Sequence, residues 1–173
     1  MLVIKITDFV GFFEISTTNK TETILLEYIN IFEERILKQL LGNDLALLFI
    51  ADLVDGIPQT EKFTDIFNSL PCAGCADDVN IISNGIKYIL TGMIFYHYSI
   101  DRQTLNTQSG VARLEVEASK VLSYDNSARF AEVRFNSALE SYLAVQTFIK
   151  TNSGNYPEFK GVELKVKFGS LGI

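Results

Sequence analysis

The chain has 173 residues, of which 47% are apolar and 21% charged, and its net charge is -6. That length and balance point to one folded domain with a sizeable core. The acidic balance argues against a surface that seeks nucleic-acid phosphate, since that affinity comes from Lys and Arg, although it is compatible with a surface that DNA passes without sticking.

The start, MLVIKITDF, lacks the basic and long apolar regions of a signal peptide, so a cytosolic site of synthesis is expected. Two cysteines in that compartment are expected to be thiols. Residues 2 to 15 alternate weakly and predict a short strand or extended arm, broken at Gly11. STTNKTET follows as a polar cluster, with Asn19 or Thr21 as the N-cap of a first long helix from Glu22 to Leu41. Leu25, Tyr28, Ile29, Phe32, Ile36 and Leu40 form its apolar stripe, and Glu34 and Lys38 make a favourable pair one turn apart. Gly42 supplies the stop. Asn43 or Asp44 caps a second helix, LALLFIADLV, ended by Asp55-Gly56 and Pro58. A third short helix is expected over residues 61 to 70, ended by Pro71.

The segment from Gly85 to Ile100, GIKYILTGMIFYHYSI, is the most apolar of the chain and is apolar on every side. Counted from Ile81 it nears the roughly 20 residues of a bilayer span. Ser83, Asn84, Lys87 and His97 interrupt it, however, and no basic cluster flanks it. A core helix over 81 to 100, covered by other elements on both sides, is the favoured reading. DRQTLNTQSG then forms a polar loop that pivots at Gly110, and residues from Val111 cross the surface in extended form. Asp125 or Asn126 caps a last long helix that runs to about Lys150, with a stripe of Ala128, Ala131, Phe135, Ala138, Leu139, Tyr142, Val145 and Ile149. The tail begins as a linker, TNSGNYPEFKG, and ends in a strictly alternating strand over 162 to 168. A lone strand is unstable. It needs the N-terminal arm, an inner hairpin or a neighbouring subunit to pair with. The expected architecture is mainly α, a bundle around the helix at 81 to 100, with a small β element formed by the N- and C-terminal arms. The body spans 1 to 150, including the arm at 1 to 20, and an extended C-terminal arm spans 151 to 173.

No catalytic constellation is legible. Cys72-Ala-Gly-Cys75 is a CxxC, but it follows a predicted helix and Pro71 rather than a strand, and a zinc site would need four ligands. His97 is the one histidine and falls in the core helix, with Asp101 as its nearest carboxylate in sequence. Glu33-Glu34 and Asp77-Asp78 are neighbours whose side chains diverge on a helix. Arg102, Arg113, Arg129 and Arg134 gather around the loop and the last helix, where solvated charge is the default and an acidic partner face the alternative. No enzyme, metal or cofactor is therefore expected. A cytosolic helical protein that binds metal or works through thiols, using Cys72, Cys75 and His97, is the alternative.

Five segments carry a family resemblance: ILKQLLG at 36 to 42, FTDIF at 63 to 67, GIKYILTGMIFYHY at 85 to 98, TQSGVAR at 107 to 113, and NSALESYLAV at 136 to 145. In this order they resemble the helical head–tail connector proteins of tailed bacteriophages, most of all the small ring proteins of crAss-like phages. The resemblance covers roughly residues 20 to 150. It implies a structural subunit of the virion, made in the host cytoplasm, with no membrane contact. It implies a ring, typically of twelve copies, that lies beneath the portal protein, lengthens the channel for double-stranded DNA without reading its sequence, and docks tail or other connector proteins. Contacts are then expected from the loop at 101 to 114, through Arg102, Thr107, Gly110 and Arg113. The tail is expected to add Tyr156, Phe159, Val162, Leu164, Val166 and Phe168.

Overall fold

The computed structural model describes residues 3–16, 18–70, 83–102, 104–107, 110–113, 124–162 and 164; for 104–107, 110–113 and 124–128 the description is of the backbone. Five α-helices are present in it: α1 (Asn19–Leu41), α2 (Asn43–Ala51), α3 (Glu61–Phe67), α4 (Gly85–Asp101) and α5 (Tyr124–Thr151). Two short antiparallel hairpins complete it: β1 (Leu53–Val54) with β2 (Ile57–Pro58), and β3 (Thr104–Thr107) with β4 (Gly110–Arg113). The protein is thus mainly α with a small β element.

Helix α4 is the centre. Ile86, Ile89, Leu90, Met93, Ile94 and Phe95 are buried around its whole circumference, which is what a helix without a polar face requires. Helix α5 runs antiparallel along one side: Ser83 meets Ser141, Tyr88 meets Ser137, and Tyr96 meets Phe135. Gly92 lets the two helices approach, since a Cβ there would sit 2.6 Å from the Cβ of Ala138. Helix α1 covers another side, with Leu25, Ile29, Ile36, Leu37 and Leu40 buried. No helix among the described residues is long and apolar enough to cross a membrane.

Local chemistry accounts for the ends. Thr18 caps α1, its hydroxyl accepting from the Thr21 amide at 3.3 Å. The helix therefore begins a turn earlier than Glu22, because Thr18 in the polar cluster takes the capping role expected of Asn19 or Thr21. Gly42 ends it at a φ of 84°, the left-handed backbone that glycine tolerates. All four terminal carbonyls of α1 find donors, as a helix end inside a protein must. Gly42 serves Lys38, Val162 and Tyr142 serve Gln39, Gln146 serves Leu40, and Lys160 serves Leu41.

The β element differs in origin from the expected pairing of terminal arms. Residues Ile6–Asp8 and Gly11–Phe13 are single turns of 3-10 helix rather than a strand. The amides of Val3 and Ile4 bond instead to the Glu33 carboxylate on α1, at 2.9 and 3.1 Å, so the arm needs no strand partner. At the other end, Val162 and Leu164 are not in a strand, and Val166 and Phe168 lie outside the described residues. The hairpins come from elsewhere. Asp55 and Gly56 have φ of 52° and 81°, the doubly positive turn that joins two antiparallel strands by two residues. The segment read as a helix stop is therefore a hairpin.

Candidate interface surfaces

Arg102 is the C-cap of α4 and is exposed. It leads directly into the β3–β4 hairpin, where Thr107 pairs with Gly110 and Thr104 with Arg113. The loop expected at 101 to 114 thus contains two paired strands, and the Gly110 pivot opens the second. Among the described residues the two strands pair with each other alone.

The tail residues divide. Tyr156 is 2% exposed, and its hydroxyl donates to the Lys62 carbonyl at 2.6 Å. Burial pushes that phenol up to about 12. Phe159 is half-buried against the same core. Both side chains are used inside the chain, and residues 156–162 are hydrogen-bonded to α1 and α5 rather than reaching away. Val162 differs: its backbone is tied down, yet its side chain is 57% exposed. With Ile31 and the Glu34–Lys38 pair it lines an open groove of about 460 Å³ beside α1. Leu164 packs against the core edge.

His97 lies face to face with Phe32, ring centroids 4.2 Å apart. Burial lowers its pKa below 6.5, against an opposing pull from Asp101. Such a histidine stays neutral and serves as an aromatic packing group. A lowered folded pKa means that the unfolded chain binds the proton first, so this contribution to stability is present above 6.5 and is lost as pH falls below it. His97→Phe should keep the stack and flatten that part of the acid dependence. Thermal melts of both proteins between pH 7 and 5 check it: parallel curves would show that His97 does not titrate on unfolding. Among the described residues no group of three His, Cys, Asp or Glu is placed to hold a metal ion. Cys72, Cys75, Asp77 and Asp78 lie outside the described residues.

Two apolar surfaces were not legible in the sequence. One, at the first turns of α5, holds Phe12, Phe130 and Val133 at 44%, 50% and 51% exposure. Arg134 sits among them, its guanidinium carbon 3.2 Å from the Phe130 ring centroid and 4.6 Å from that of Phe12. Its Nε donates to the Phe12 carbonyl and its Nη1 to the Phe130 carbonyl. The second surface comprises Leu47 and Leu48 of α2 and Val54 and Ile57 of the β1–β2 hairpin, all 44–56% exposed. Comparison of the chain with protein-family models, curated proteins and solved structures finds no match.

Proposed function

We propose that the protein is a structural subunit of a tailed-phage virion, a head–tail connector that forms a ring beneath the portal, prolongs the DNA channel and receives the tail. The order of elements and the five sequence segments that resemble connector proteins suggest the class. The β3–β4 hairpin is the observation that carries it. An isolated two-stranded hairpin is marginal in water and gains stability when a third strand or another surface covers it. This one follows α4, the centre of the body, directly in the chain order and precedes α5, so a partner that binds it is placed beside the end of the core helix. Ring neighbours, the portal protein and tail or other connector proteins are the partners in this reading, with double-stranded DNA passing through unread. The acidic balance supports a channel wall that does not grip phosphate.

Negative-stain electron microscopy tests the proposal, on the purified protein alone and mixed with the portal protein encoded near it. Rings, or an added layer on the portal, are the expected result. Separate compact monomers in both samples would overturn it.

A further inference from the structure

The β1–β2 hairpin is a small preformed knob. Val54 and Ile57 are direct cross-strand partners, so their side chains share one face, and each is 56% exposed. Asp55 stands beside them in the turn and is exposed. The base of the hairpin is locked by Asp52, whose carboxylate accepts from the amides of Gln59 and Thr60 at 2.7 and 2.8 Å and from the Thr60 hydroxyl. Those bonds, the Thr60 hydroxyl first, hold the Asp52 carboxyl below its ordinary value. Docking such a knob costs little ordering entropy. The region is also acidic: residues 43 to 70 hold Asp44, Asp52, Asp55, Glu61 and Asp65 against Lys62, with Lys160 paired to Asp44 at 3.5 Å.

Arg134 offers a single cation of opposite sign to Asp55, set among apolar rings. Its guanidinium is fixed between two aromatic rings by bonds to two neutral carbonyls, and none of its described contacts is a carboxylate. A guanidinium has five N–H donors, so some remain for a partner. Aromatic residues, Phe among them, and arginine are enriched at protein interfaces. From Arg134 to the end of α5 at Thr151 the helix rises about 25 Å. Near that end Tyr156 packs on Phe148 and meets Lys62, four residues after the hairpin. The knob of one molecule therefore cannot reach its own Arg134.

We propose that the Val54–Ile57 hairpin of one copy docks on the Phe12, Phe130 and Val133 surface of another, with the Asp55 carboxylate on the Arg134 guanidinium. Two different patches meet, so the contact is heterologous and generates a closed ring or an open filament according to its rotation. The inference deepens the connector reading by naming the contact between neighbours.

Sedimentation velocity over a concentration series tests it. Asp55→Arg and Arg134→Glu should each weaken self-association of the full chain at least tenfold, and the two substitutions together should restore most of it. Since Arg134 also anchors Phe12, a second test leaves it intact. Asp55→Cys and Val133→Cys are made separately in a Cys72→Ser, Cys75→Ser chain, then mixed and oxidised. A disulfide dimer in the mixture, beyond that of either protein alone, is expected. Unchanged self-association in both single charge variants, no mixed disulfide, or a wild-type chain monomeric at every concentration would overturn the contact. A layer of wild-type protein on the portal would then still stand, which separates failure of this contact from failure of the connector reading.

Discussion

Glu33→Ala should lower the stability of the chain by about 2–4 kcal/mol, a fall in melting temperature of roughly 5–15 °C for a domain of this size. Glu33 is 5% exposed on α1, and its two oxygens take the amides of Val3 and Ile4. Alanine leaves both amides without an acceptor beside Ile4, which is itself fully buried. Unsatisfied buried donors are costly because water cannot replace the lost partner. The arm holding Phe9 and Phe13, both buried against the helices, would loosen with them. A pH signature distinguishes this clamp from ordinary packing. Burial raises the Glu33 pKa above 4.5, and the two amide bonds oppose that rise without cancelling it. A carboxyl with a raised folded pKa binds its proton more readily folded than unfolded. Its share of stability is therefore full below 4.5 and declines as pH rises through the folded value. Glu33→Gln carries no such proton and should lack that decline. Urea unfolding of the two proteins from pH 4 to 7 checks it; an identical pH slope in both would show that Glu33 is not the group responsible.

The neighbouring carboxylate makes the contrast plain. Glu34 is exposed and lies 2.6 Å from Lys38, the i,i+4 pair that spacing predicts. Helical period was enough to separate the wet side of α1 from its stripe, and Leu25, Ile29, Ile36 and Leu40 are buried as expected. The same period identified α5, where Ala131, Ala138, Leu139, Tyr142, Val145 and Ile149 are buried. The absence of any polar side identified α4 as the centre. What period could not show are features without one. Strands of two residues have no alternation to read, so Leu53–Val54 and Ile57–Pro58 passed as the end of a helix, although Asp-Gly is itself a strong hairpin signal. The polar cluster before α1 offered several competent caps, and three-dimensional context selected Thr18. The seat of Arg134 joins residues 122 positions apart in the chain, and no local pattern announces it. Glu33 was hidden for the same reason, because its partners are backbone amides about 30 residues away.

The tail gives the second large effect. A chain ending at Asn155 should lose on the order of 5 kcal/mol, a large part of a typical domain's stability, whereas one ending at Leu164 keeps each of the contacts named below. The sequence suggests one extended arm from 151, but its residues 156 to 162 are bonded to the body. Removing residues 156 onward takes away Tyr156, whose fully buried ring is worth roughly 2–3 kcal/mol by area and lies edge-on to Phe148 at 6.3 Å. It also removes the Lys160 amide from the Leu41 carbonyl, 3.2 Å away, and the Val162 amide from Gln39, 2.8 Å away. Tyr142 and Gln146 each lose the Val162 carbonyl, at 2.6 and 3.1 Å. Tyr142 is fully buried, and burial raises its phenol pKa, so its one proton, shared between the Val162 and Gln39 carbonyls, is kept throughout the physiological range. The segment fits closely as well: a Cβ on Gly42 would meet the Lys160 backbone at 2.8 Å. Circular dichroism melts of the two truncations decide the matter. A chain ending at Asn155 that melts with the full protein would show the clasp to be incidental. If it unfolds while the chain ending at Leu164 stays folded, assembly tests with the longer truncation can ask whether residues 165 to 173 contribute to docking without confusing lost contact with lost fold.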